Sequence, residues 1–314
     1  MVADLLTGII IINILASTIR ISTPILIAAL GELVTERGGI MNLGVEGTML
    51  MGAFVAFMVT FRTDSLLLGT IAAIFAGGVM GLIMTFMATT LKVDQTITGL
   101  GLNLLGAGLS LFWYRLGFEN VGGEGSPTIA TSNIVEIPIL SHIPYIGTIF
   151  FSQQLLTYVA FLMVPVIWYF LYRTKYGLRI RSLGENPLAL DMKGIKVAQL
   201  QYIATIFGGM MAGLGGSFVT IGTTARFLPG ITSGRGWLAI VIVIAGNWIP
   251  WRILAATLVF AFLDALQLQI QGIGVQIPYQ ILLALPYIIV IIILMGGRAR
   301  AKPPQFLGST YYRE

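Results

Sequence analysis

The feature that most constrains this chain is a succession of unbroken apolar runs of membrane-spanning length. One example is Leu155-Leu-Thr-Tyr-Val-Ala-Phe-Leu-Met-Val-Pro-Val-Ile-Trp-Tyr-Phe-Leu-Tyr172. A helix needs about 20 such residues to cross a bilayer. In lipid every backbone N–H and C=O must be satisfied within the chain, which leaves helices or closed barrels. A barrel would show alternating segments of roughly 10 residues, and these runs do not alternate. Only 10% of the residues are charged, against about 25% in a soluble domain, so the surface must meet lipid. The sequence therefore predicts an all-α, polytopic transmembrane helical bundle. About nine spans are expected, near 5–30, 44–61, 66–90, 96–117, 151–172, 199–222, 237–249, 253–271 and 278–296. The second and seventh are short and interrupted by glycine, as re-entrant helices are.

Composition also removes several chemistries. There is no cysteine, which excludes disulfides and thiolate chemistry and leaves the compartment open. One histidine, His142, and scattered carboxylates offer no metal cluster, and no cofactor is indicated. No Gly-x-x-x-x-Gly-Lys-Ser/Thr phosphate loop occurs. The start, Met1-Val-Ala-Asp4, lacks a basic n-region and the apolar character runs on, so the first helix is expected to stay in the mature protein.

The net charge of +5 fits the positive-inside rule better than nucleic-acid binding. Lys and Arg crowd the segment 173–196 and the tail after the last span. With both in the cytoplasm, thirteen of the 18 basic residues lie inside and four outside (Arg62, Arg115, Arg226 and Arg235), with Arg20 in the membrane. This frame implies an external N-terminus and a cytoplasmic C-terminus. It makes residues 1–314 one membrane domain, with a cytoplasmic loop near 173–198 and an external loop near 118–150 holding Gly122 to Ser126, Pro138 and Pro144.

The cytoplasmic loop carries the sharpest local signals. Gly184 can end one element. Asn186 is a good N-cap and Pro187 suits a first helical position, so 188–192 reads as a short helix closed by Gly194. A short capped helix ringed by charge has the shape to dock in a groove of another protein. It equally suits a solvated connector.

The run Gly184-Glu-Asn-Pro-x-Ala189 with Gly194-Ile195 resembles the coupling loop of ABC importer permeases, within the ribose, branched-chain amino acid and nucleoside permease family. Two other segments are similar to that family's: Gly38-Gly-Ile-Met-Asn-Leu-Gly-Val-Glu-Gly47, in the form of nucleoside or simple-sugar permeases, and Leu91-Lys-Val-Asp-Gln-Thr-Ile-Thr-Gly-Leu-Gly101. Ribose-type permeases carry an additional span before the first one here, and the segment after Arg235 is bulkier than the family's pattern. The resemblance implies a translocation subunit with no nucleotide site of its own. It also implies coupling to a separate ABC ATPase through Gly184, Glu185, Asn186, Pro187, Ala189 and Gly194. The expected partners are that ATPase, a homologous second permease subunit, an extracytoplasmic substrate-binding protein and a small polar solute. Nucleosides are favoured over sugars and branched-chain amino acids.

Polar residues inside apolar sequence supply the pathway candidates Asn42, Glu46, Asn103, Asp264 and Gln267. A carboxylate at bilayer depth costs ~2.5–3.5 kcal/mol on insertion scales and so faces protein or water. Glu46 also suits a helix N-terminus, Asp94 or Thr96 a helix cap, and Asn103 interhelical bonding. Asp264, Gln267 and Gln271 share one helix face. Gly77-x-x-x-Gly81 and Gly209-x-x-x-Gly213 read as close-packing motifs. Phe227, Trp237, Trp248 and Trp251 read as interface aromatics. A secondary transporter remains the main alternative, with Glu46 and Asp264 as its only plausible coupling acids. A membrane enzyme lacks the side chains it would need.

Overall fold

The computed structural model describes residues 8–118, 127–138, 140–143, 145–272, 302–312 and the single residues 280, 284, 288 and 292. Apart from those four residues the expected last span at 278–296 lies outside the described residues, as do Gly122 to Ser126, Pro144, Arg298 and Arg300. The helices are α1 (Gly8–Arg37), α2 (Val45–Thr63), α3 (Leu66–Thr85), α4 (Gln95–Phe118), α5 (Ile146–Phe150), α6 (Leu155–Arg173), α7 (Lys175–Glu185), α8 (Pro187–Asp191), α9 (Val197–Ser217), α10 (Arg235–Ala245) and α11 (Pro250–Gly272). π-helical turns extend α3 over Phe86–Thr90 and α9 over Phe218–Thr224.

Seven of these helices are long and apolar enough to cross a membrane. The second expected span is one unbroken helix of 19 residues, so its glycines do not interrupt it. Instead, Gly47 and Gly52 bring it against the backbones of α4 and α9. The seventh is short: α10 has 11 residues. At about 1.5 Å per residue it crosses roughly half of a ~30 Å hydrocarbon core.

The most buried span is α9, which packs on α1, α2 and α3. Glycine permits this, and the two small-residue motifs read from the sequence turn out to face each other. A Cβ on Gly77 would come within 2.8 Å of Gly213 Cα and meet the Gly209 carbonyl, and one on Gly81 would lie 2.6 Å from the Thr205 carbonyl. Without a hydrophobic drive between helices in lipid, such backbone contact is what holds them. Gly77→Val is expected to destabilise the bundle by at least ~1–3 kcal/mol through overpacking. The check is loss of monodispersity and a lower thermal midpoint in detergent. Gly101→Ala, where a Cβ meets nothing within 4 Å, is the control that should not change.

Between α4 and α6 the expected loop carries a two-stranded antiparallel ribbon, β1 (Ile134–Glu136) with β2 (Ser152–Gln154), around the short α5. It rests on the π-turn after α9: Ser132 N–H donates to the Ile221 carbonyl at 2.9 Å and Ile129 N–H to the Ala225 carbonyl at 2.8 Å.

Two sequence expectations change here. Gly184 does lie at the end of an element, one residue before the last of a helix, but not as an open breaker. It lies buried inside α7, an 11-residue helix unforeseen in the sequence, where a Cβ would strike the Arg37 carbonyl and Pro304. Phe227 and Trp248 are not interface aromatics. Phe227 is fully buried among Phe54, Phe57 and Tyr114, and Trp248 is also buried. Trp237 and Trp251 are exposed.

Candidate functional site

The chain leaves α1 at Gly38-Gly39, where φ at Gly39 is +83°, and turns into α2 over Ile40 to Gly44. Asn42 makes that turn. Its Oδ1 accepts from Gly44 N–H at 2.9 Å, while its own N–H donates to Glu32 Oε1 at 3.2 Å. Asn42 is buried and its bonds are internal. Asn103 reaches across from α4. Its Oδ1 accepts from Gly47 N–H at 2.8 Å, and its Nδ2 donates to the Leu43 carbonyl at 2.7 Å. It thus satisfies one of the first-turn N–H groups that a helix leaves orphaned.

Glu46 sits in the first turn of α2, yet its carboxylate serves a different helix. Oε1 accepts from the Thr232 hydroxyl at 2.6 Å and Gly234 N–H at 2.9 Å, and Oε2 accepts from Gly236 N–H at 2.7 Å. These donors form the N-terminus of α10. The fit is close, for a Cβ on Gly236 would collide with the Glu46 backbone. The two helix starts therefore meet at one carboxylate. Because α10 is about half as long as a bilayer is thick, its two ends cannot both lie at membrane surfaces. Arg235, at the head of α10, donates to the carbonyls of Ile231 and Thr232 at 3.2 and 3.3 Å and is within electrostatic reach of Asp264 on α11. One turn on, Gln267 is buried. Among the described residues, its Oε1 and Gln271 Nε2 have no hydrogen-bond partner. So Glu46 and Asn103 meet at the start of α2, Asp264 lies within electrostatic reach of Arg235 at the head of α10, and Asn42 stands apart on the side of Glu32.

The other end of α10 is also tied down by polar side chains. The Trp248 indole N–H donates to the Glu36 carboxylate, and Arg37 Nη2 donates to the Trp248 carbonyl at 3.0 Å. Arg37 Nη1 also lies 3.9 Å from Glu185 at the end of α7. Glu32 and Glu36 are each 2% exposed. The sequence reading missed both because it ended the first span at residue 30. Their spacing of four and Arg37 as a last-turn cation would have carried the helix to its true end.

In the 173–198 region, Thr174 caps α7 by accepting from Gly177 N–H at 3.0 Å. Asn186 caps α8, its Oδ1 accepting from Ala189 N–H at 3.1 Å, with Pro187 at the first position. Gly194 closes the turn at φ +73°. Pro187 and Leu190 face inward, while Leu188 and Met192 are 48% and 77% exposed. Glu185 and Asn186 are exposed and Ala189 is half-buried.

Comparison with known proteins identifies relatives across the whole bundle. The chain is 38% identical over 265 residues, 84% of its length and 80% of the relative's, to the putative glucose ABC transporter permease protein TsgC13 of Haloferax volcanii. It is 33% identical over 309 residues, 96% of both chains, to the guanosine ABC transporter permease protein NupQ of Bacillus subtilis. Identity to the nucleoside ABC transporter permease protein NupC of Lactococcus lactis is 30% over 311 residues, again 96% of both. Bacillus subtilis and Lactococcus lactis each also hold a more distant relative, NupP and NupB, named for the same kind of transport. No solved structure matches the chain. Residues 14–295 match the family described as branched-chain amino acid transport system / permease component, so a bundle with a half-length helix and a capped loop helix belongs to that family of ABC permeases and is a multi-pass membrane transport subunit.

Proposed function

We propose that this chain forms part of the translocation pathway of an importer for nucleosides or related small polar solutes, driven by a separate ATPase that docks on α8. The observation that carries the reading is the shape of α8. A short helix, capped by Asn186 and braced by Pro187 and Leu190, holds Leu188 and Met192 out to solvent. Two exposed apolar side chains on a rigid turn suit a groove in a partner.

The bundle supplies a route for a push on α8. Glu185 precedes the cap and pairs with Arg37, Arg37 holds Trp248, and Trp248 ends the turn after α10. The far end of α10 is clamped by Glu46. A displacement of the loop is thus delivered to the junction of Glu46, Asn103, Arg235 and Asp264, which we assign to the solute pathway. Broken helices at membrane depth are tolerated where they line a cavity. The excess of Lys and Arg in the 173–196 segment and the tail supports a cytoplasmic α8 and C-terminus in a plasma or inner membrane. Paired permeases in the organisms of the relatives support a second, homologous permease subunit, and an extracytoplasmic binding protein completes the importer.

A sugar is the second reading, favoured by the identity to a putative glucose permease. The test is uptake of labelled guanosine and glucose into proteoliposomes holding the complete transporter co-purified with this chain. ATP-dependent guanosine uptake that unlabelled glucose does not compete is the expected result. Glucose-competed uptake would move the substrate to sugars. Uptake without ATP, driven by an ion gradient, would replace the ABC reading by a secondary carrier.

A further inference from the structure

Residues 302–312 form no helix or strand, yet they reach several turns at the α8 end of the bundle. Lys302 N–H donates to Asn247 Oδ1 at 2.9 Å, fastening the tail to the turn between α10 and α11. In that turn Asn247 and Trp248 both hold positive φ, 53° and 54°. Such backbone persists only where the surroundings over-determine it. Phe306 N–H donates to the Gly184 carbonyl at 2.8 Å, and Gly308 N–H to the Gly39 carbonyl at 3.2 Å. These bonds reach the last turn of α7 and the turn between α1 and α2. The Ser309 carbonyl accepts from Gln95 Nε2 at 3.2 Å, and the Lys92 ammonium sits 3.9 Å over the Tyr312 ring, both at the junction of α3 and α4. The Tyr311 hydroxyl donates to Asp191 Oδ2 at 2.9 Å, and its ring packs on the cluster of Leu183, Leu190 and Val197 beneath α8.

We infer that residues 302–312 are a positioning strap that makes α8, the end of α10 and the turns at Gly39 and Lys92 move as one body, with Tyr311 as its grip on α8. The inference rests on α8 being the ATPase dock. Beside the strap, α8 is held by its flanking helices and, at Glu185 just before it, by the long Arg37–Glu185 contact. Without the strap, a push from the ATPase would be absorbed by movement of the loop. Gly184 has its place in the same scheme: its missing side chain lets Pro304 and the tail lie flat on α7.

Two measurements test it. Because the chain has no cysteine, a nitroxide on Lys193→Cys reports on the α8 end alone. On the full chain in nanodiscs it should be immobilised, and clearly more mobile in Tyr311→Phe and in a chain ending at residue 301. In the complete transporter, Tyr311→Phe should keep its ATPase activity yet move about tenfold less solute per ATP, as expected for a lost hydrogen bond to a charged group. An unchanged nitroxide spectrum and an unchanged solute-to-ATP ratio in both variants would overturn the strap. The nitroxide needs no ATPase, so it separates this failure from that of the docking reading. The docking reading alone falls if Leu188→Asp leaves ATPase binding intact.

Discussion

Glu46→Ala is expected to abolish solute uptake and to lower the thermal midpoint of the purified subunit by many degrees. The carboxylate accepts three hydrogen bonds at the start of α10, two of them from backbone N–H groups. Removing it leaves those partly buried donors without their acceptor, at up to ~1–3 kcal/mol for each unsatisfied group. Glu46→Gln is the informative partner. Its amide oxygen can still accept, but its NH2 faces a backbone N–H, so it should fall between wild type and alanine in stability. Asn103→Ala should behave like a weaker version, because it strands one N–H of α2 rather than two of α10. Differential scanning fluorimetry in detergent with parallel uptake measures both effects. An alanine variant that melts and transports as wild type would show that the junction of α2 and α10 is held by packing alone, and would remove the reason to place the pathway there.

The second large effect is expected at α8. The double change Leu188→Asp with Met192→Asp should release the ATPase from the permease while the permease still inserts and folds. Burying a side chain of this type contributes ~1.5–3 kcal/mol, and a carboxylate in an apolar groove costs more. A loss of at least ~100-fold in ATPase affinity is expected, which is about 2.7 kcal/mol. Retention of the ATPase on a tagged permease measures it directly. Bulk at Ala189, half-buried beside the cap, should weaken coupling by tilting α8. Gly184 makes a poorer probe of docking than its place in the loop suggests, because any side chain there also strikes Arg37 and Pro304. Normal ATPase retention by the double variant would assign the loop a connecting role only.

These two sites differ in how far the sequence reveals them. The α8 loop was legible because every signal is local. Cap, proline, apolar positions and closing glycine fall within nine residues, from Asn186 to Gly194, and the structure keeps each role. The spans were legible for the same reason, since lipid imposes one period and one length. Glu46 stands out in the sequence as a carboxylate in apolar surroundings, suited to a helix N-terminus. The helix it serves begins about 190 residues later, and no local pattern announces such a pairing. The helix α7 is hard to read from sequence because Gly184 suits the end of an element and Gly177 sits near its start. In the structure both mark places where backbone presses on backbone, at Phe170 and at Arg37. Trp248 misled through chemistry. An indole near a span end suits the membrane interface, but here its N–H is taken by the buried carboxylate of Glu36.

The half-length of α10 has one more consequence, for what the bundle will let through. A helix that stops midway leaves the positive end of its dipole, ~0.5 of an elementary charge, near the bilayer centre, where a passing anion would be drawn to it. Glu46 already holds that end. The start of α10 is therefore already paired with a carboxylate before any solute arrives. It offers no counter-charge to an ion, and a neutral solute carries none across. Moving one charge through the membrane involves ~2.3 kcal/mol per 100 mV. A nucleoside or sugar on this path would leave the membrane potential undisturbed, and transport through the chain would proceed alike in energised and depolarised cells.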